Sequence, residues 1–140
     1  MAAADGMVVL GRVVAVAGAL GVLVASFLPW GRSGGTSRTS YELVDAAGRL
    51  EVVSGALAVG VRGWYLVPLL TACTWLAAVR RRLLATATLS ALVGSAAVAL
   101  AVAVKASPVG AEAGTSVALV AGATALIGAA RSAWEDRRQS

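Results

Sequence analysis

A chain of 140 residues that is 59% hydrophobic and only 14% charged, with a mean hydropathy of +0.82, departs from a soluble domain, where about a quarter of residues are charged. Its net charge of +5 sits in blocks at the ends of apolar runs, Arg80-Arg81-Arg82 and Arg131 with Arg137 and Arg138, a placement that marks cytoplasmic loops rather than a nucleic-acid surface. There is no His, and the one Cys, Cys73, lies inside an apolar run, which excludes His-based haem ligation, metal sites and general bases, and any intramolecular disulfide.

The first apolar run extends from about Leu10 or Val13 to Trp30. It is longer than the ~7–15 residues of a signal-peptide core and has only Arg12 before it as a basic flank, so it reads as a retained anchor. Pro29 ends the helix and Trp30 suits the headgroup level. The next stretch, Gly31-Arg32-Ser33-Gly34-Gly35-Thr36-Ser37, has the composition of a flexible loop; it lacks the Lys-Ser/Thr ending of a phosphate loop.

Thr39-Ser40-Tyr41-Glu42 fits a capping box. Behind it Leu43, Ala46, Ala47, Leu50, Val53 and Leu57 recur at helical spacing, with Glu42, Asp45 and Arg49 on another face. This predicts an amphipathic helix over 40–57, lying on the outer membrane surface or against the other helices. Asp45 and Arg49, four apart, are spaced to pair.

A second span is expected over 63–79, opened by Trp64 and Tyr65 and kinked near Pro68. A third covers 83–104, a short outer turn follows, and a fourth covers 113–130 before a cytoplasmic tail, 131–140. The whole chain is thus expected to be one membrane domain, an all-α bundle of four transmembrane helices with an extracytoplasmic amphipathic helix between the first two. With the amino terminus inside, seven basic residues fall on the cytoplasmic side and five outside. The compact Arg80–Arg82 block strengthens that bias, so both termini are expected in the cytoplasm and the chain in the cell membrane.

Helices in lipid associate through small residues, and these are abundant. Ala87, Ala91, Ser95, Ala99 and Ala103 recur at every fourth position, with Ser90 and Gly94 beside them; Gly114, Ala118 and Gly122 do the same in the fourth span. Ala91, Gly94, Ser95, Ala118 and Gly122 are therefore the expected packing residues of a tight hairpin between the third and fourth spans.

Chemistry is sparse. Over residues 13–30, 63–79, 83–104 and 113–130 there is no Asp, Glu, Lys or Arg, which argues against a proton-coupled pump or small multidrug transporter. Glu42, Asp45 and Glu51 are conceivable acid–base groups, but a solvated helix face explains them as well. No catalytic, cofactor-binding or metal-ligating residue is assigned, and no cofactor, nucleic acid or soluble small-molecule substrate is expected. Trp30, Arg32, Arg38, Tyr41 and Glu42 concentrate polar and aromatic character on one side of the membrane, the place to meet a partner protein or phospholipids.

The Ala-, Val-, Gly- and Arg-rich style resembles small actinobacterial envelope proteins, with no motif of any one family behind it; the paired extracellular Cys of claudin-like four-span proteins is missing. The expected role is a non-catalytic accessory or structural subunit of a larger cell-envelope membrane complex. The alternative is a lipid-binding or lipid-transport helper; a membrane enzyme fits less well.

Overall fold

The structure is a computed structural model that describes residues 2–49 and 61–139. It is mostly helical. Helix α1 spans Ala2–Phe27, α2 Ser40–Arg49, α3 Val67–Val79, α4 Leu83–Ala106 and α5 Ala113–Gln139. Strands β1 (Pro29–Ser33) and β2 (Thr36–Thr39) follow α1, and β3 (Gly110–Ala111) precedes α5.

Three helices are long and apolar enough to cross a membrane, over Val9–Phe27, Leu83–Ala106 and Ala113–Arg137, which suggests a multi-pass membrane protein. The sequence predicts four. The second expected span begins as a 3-10 turn over Trp64–Leu66, and α3 itself has 13 residues. Helix α3 alone rises about 20 Å, short of a hydrocarbon core of roughly 30 Å, and only with the turn and the helical residues 61–63 before it does the stretch approach that length. Pro68 sits in the first turn of α3, directly after the 3-10 turn that interrupts the helical run begun at residues 61–63, where its missing N–H is tolerated.

The long helices pack antiparallel. Gly18 of α1 lies so close to α5 that a Cβ there would collide with the Ala125 backbone, and Gly128 stands in the same relation to the backbone of Ala15. The α4–α5 seam is equally tight: a Cβ on Gly94 would come within 2.7 Å of the Gly122 carbonyl oxygen, and one on Gly122 within 2.9 Å of the Gly94 oxygen. The shorter α3 packs against α1 and α4.

The interior is built from small residues. Ala15, Ala19, Ala25, Ala97, Ala101, Ala118 and Ala125 are buried, together with Thr71, Thr74, Thr86 and Ser90. Those hydroxyls are satisfied mostly within their own helices. Thr74, Thr86 and Ser90 donate to the carbonyls of Leu70, Arg82 and Thr86 at 2.8, 2.9 and 2.6 Å, which lets a polar atom sit on a helix without exposing an unpaired donor. Large side chains point the other way: Phe27, Leu69, Trp75, Leu84 and Ile127 are exposed, and Val120 is 70% exposed. Small inside and large apolar outside reverses the pattern of a water-soluble core, and it suits lipid as the solvent.

Two segments expected to be irregular are ordered. The glycine-rich stretch is a β-hairpin with Ser33 opposite Thr36 and a two-residue Gly34-Gly35 turn. Gly34 has φ +63, the conformation asked of the first central residue of a II′ hairpin turn. Strand β3 adds to the other side of β1 through Gly31–Ala111 and Arg32–Gly110, giving the order β2-β1-β3. The expected charged tail is also helical, because α5 runs on to Gln139; no Gly or Pro follows Gly128 to stop it. The amphipathic helix is present over Ser40–Arg49; its expected continuation, with Leu50, Glu51, Val53 and Leu57, lies outside the described residues.

Candidate functional site

The sheet, α2 and the start of α3 gather at one end of the bundle, and polar and aromatic side chains are concentrated there. The arrangement begins with a β-bulge. Pro29 pairs with Thr39 and Gly31 with Arg38, so Trp30 is the extra residue on β1. A bulge re-aims its side chain. Trp30 turns into the bundle, is fully buried, and donates its indole N–H to the Ala25 carbonyl at 2.6 Å. It therefore sits in the core and not on the outer surface that a headgroup contact would require. Gly114 makes room: a Cβ there would collide with the Trp30 ring and the Pro29 carbonyl.

The Ala25 carbonyl is one of the last four of α1, which have no partner within the helix. Ser40 satisfies another by donating to the Ser26 carbonyl at 2.6 Å, and accepts from the Trp64 indole at 2.9 Å. Trp30 and Trp64 meet edge to face with centroids 5.4 Å apart. Tyr41 lies between Phe27, at 5.4 Å, and Tyr65, at 5.8 Å, and its hydroxyl is 3.2 Å from Ser26 Oγ. Five aromatic rings thus tie together the end of α1, α2 and the turn that leads into α3.

The capping box is formed. The Thr39 N–H donates to Glu42 Oε2 at 2.7 Å, the Thr39 hydroxyl lies 3.1 Å from the same oxygen, and the Glu42 N–H points to Thr39 Oγ1 at 3.4 Å. These hydrogen bonds from Thr39, with a smaller contribution from Arg38 and against a small desolvation effect, hold the Glu42 carboxyl below its usual value. Asp45 and Arg49 pair at 2.8 Å on the exposed face.

Of the five residues expected to meet a partner or lipid, Trp30 is internal and Glu42 is committed to the helix cap. Tyr41 is half-buried in the aromatic cluster. Arg32 pairs with Glu112 through Nε–Oε1 at 3.1 Å, and Ser37 donates to the same carboxylate oxygen at 3.0 Å. Arg38 is half-buried on β2 and its Nε has no partner. Glu112, Ser40 and Trp64 were not anticipated. The signal for Glu112 was present: a lone acid in the turn on the same side as Arg32.

Of the expected packing residues, Gly94 and Gly122 are buried at the α4–α5 seam, Ala118 is buried in the core, Ala91 is half-buried and Ser95 is exposed. The other end of the molecule carries Arg12, the Arg80–Arg82 turn and the end of α5, with a Cβ on Gly11 lying 3.1 Å from Glu135. There α3 closes in a Schellman motif, Arg81 N–H donating to Ala78 at 3.1 Å and Arg82 N–H to Ala77 at 2.9 Å. Its left-handed position, usually Gly, is Arg81 with φ 56.

Among the described residues no three His, Cys, Asp or Glu side chains converge, and the acids at the sheet end are held in structural pairs. The arrangement joins the end of α1, the sheet, α2 and the start of α3. The chain matches no family model, no curated protein and no solved structure.

Proposed function

We propose that this protein is a non-catalytic accessory subunit that packs within the membrane against a larger cell-envelope complex. The observation that carries the reading is the distribution of side chains. Polar groups at the sheet end are spent on holding that end together, while large apolar side chains cover the outside of every long helix. Such a surface is suited to lipid and to the helices of another membrane protein.

In this reading α3 is the fourth span, reaching across with Arg62 and Arg80 extended toward the two headgroup layers. Both chain ends lie in the cytoplasm beside the arginine turn, and the sheet faces outward. The lipid-transport alternative leaned on Arg32 and Arg38 as free charges. The Arg32–Glu112 pair weakens it.

Extraction of tagged protein from its native membranes in mild detergent tests the proposal. One integral membrane protein should copurify at fixed stoichiometry, and Arg38→Gln, which puts no second negative charge beside Glu42, should reduce its recovery. Recovery of the chain alone, or only with lipid, would overturn the subunit role.

A further inference from the structure

A groove of about 500 Å³ runs between α1 and α3 at the arginine end of the bundle. Its floor and walls are apolar, with Val13, Ala17, Leu20 and Trp75 along its length, and Arg12 and Arg81 stand at its mouth. Arg12 reaches across toward α3, its guanidinium 3.4 Å from the Ala78 carbonyl oxygen. Arg81 is placed by the Schellman turn in the left-handed conformation that a side chain adopts at a cost and that glycine adopts freely.

We propose that this groove holds an acyl chain of an anionic phospholipid, whose phosphate is met by Arg12 and Arg81. Three observations point to this occupant over a partner helix or a second copy. The groove lies between α1, a helix long and apolar enough to cross a membrane, and the apolar α3, with its apolar length along the helices and the two arginines toward one end. That is the layout of a single lipid, tail inward and headgroup at the interface. The charge at the mouth comes from two arginines on different elements, which suits a phosphate oxygen cluster. And Arg81 brings its guanidinium to the groove from a left-handed backbone position that Gly would adopt more easily. Basic residues near a membrane attract anionic lipid at roughly 1 kcal/mol each, about fivefold in affinity.

The same turn supplies a clean test. Arg81→Gly removes the charge from the groove and relaxes the backbone, so a loss of lipid cannot be ascribed to unfolding. The full-length protein in detergent is titrated with phosphatidylglycerol or phosphatidylcholine, and bound lipid is counted by native mass spectrometry. The wild type should prefer phosphatidylglycerol. Arg81→Gly should weaken that binding about fivefold and melt no lower than wild type, Arg81→Lys should recover most of it, and Ala17→Phe should lower retention of both lipids by filling the groove. Arg80→Gln, which removes an equal charge outside the groove, should leave the preference intact. The proposal fails if Arg81→Gly binds phosphatidylglycerol as wild type does, if Arg80→Gln weakens binding as much as Arg81→Gly, or if the groove instead closes in a dimer that excludes lipid.

Discussion

At the scale of single residues, Trp30 illustrates how backbone geometry sets the position of a side chain. As the extra residue of a bulge it points inward, fills the space left by Gly114, and caps the end of α1. Trp30→Phe keeps most of the ring but loses the bond to Ala25, whose carbonyl still accepts from the Leu28 N–H at 3.1 Å. It should cost about 1 kcal/mol. Trp30→Ala leaves a cavity and should cost about 3–5 kcal/mol, read as a lower melting midpoint in detergent. The capping box makes a separate prediction. Glu42 is held below its ordinary value of 4.5 by Thr39, so its folded-state pKa is lower than its unfolded one. The cap therefore contributes fully above pH 4.5 and loses its contribution as pH falls through the folded value. In a titration followed by nuclear magnetic resonance, the Thr39 amide should shift with a midpoint below 4.5, and Glu42→Gln should abolish that shift. Thr39→Ala should cost roughly 1 kcal/mol of local helix stability.

At the scale of elements, close helix approach depends on which face of a small-residue column is turned inward. Leu in place of Gly94 or Gly122 would place side-chain atoms where the facing carbonyl now sits, so either replacement should cost at least 1–3 kcal/mol, roughly the range for overpacking. Ser95→Leu, on the exposed face, should change stability by no more than about 0.5 kcal/mol. Equal losses at all three positions would refute this assignment of faces. The contrast also shows what the amino-acid pattern reveals and what it hides. Apolar length, terminating Pro29, the arginine block and the capping box were all readable, because each depends on local chemistry. Alanine is so frequent that two columns, through Ala91 and Ser95 or through Ser90, Gly94 and Ala97, looked alike, and only the neighbouring helix distinguishes them. The hairpin was hidden for a different reason. Gly34-Gly35 is a legitimate two-residue turn, but its strands are short and polar. They lack the alternation that marks a half-buried strand, and their partner β3 lies far along the chain. The Arg32–Glu112 pair joins those distant parts. Being partly exposed, it should contribute less than about 1 kcal/mol, and Arg32→Glu should be recovered by adding Glu112→Arg if the coupling is direct.

At the scale of the whole molecule, the sheet converts a statistical topology argument into a geometric one. Strand β3 is hydrogen-bonded to β1, so the segment after α1 and the segment before α5 must lie on the same side of any membrane. The helix contacts that bring Gly18 to Ala125 and Gly128 to Ala15 then place the start of α1 and the end of α5 together at the far side. Arg12 lies beside Ala78 there, which brings the arginine turn to that side as well. For α1, α4 and α5 to cross and keep these neighbours, the chain must return between α2 and α4, and in the proposed four-span reading α3 makes that return. Cysteine labelling in a Cys73→Ala background checks this without assuming which compartment is which. Single cysteines at Gly35 and Gly110 should label from one face, and cysteines at Arg82 and Trp134 from the other. In the proposed topology the second face is the cytoplasmic one. If Gly35 and Gly110 label from opposite faces, the sheet does not exist in the membrane. If Gly35 and Arg82 label from the same face, α3 lies within one leaflet or on the surface, and the chain crosses three times.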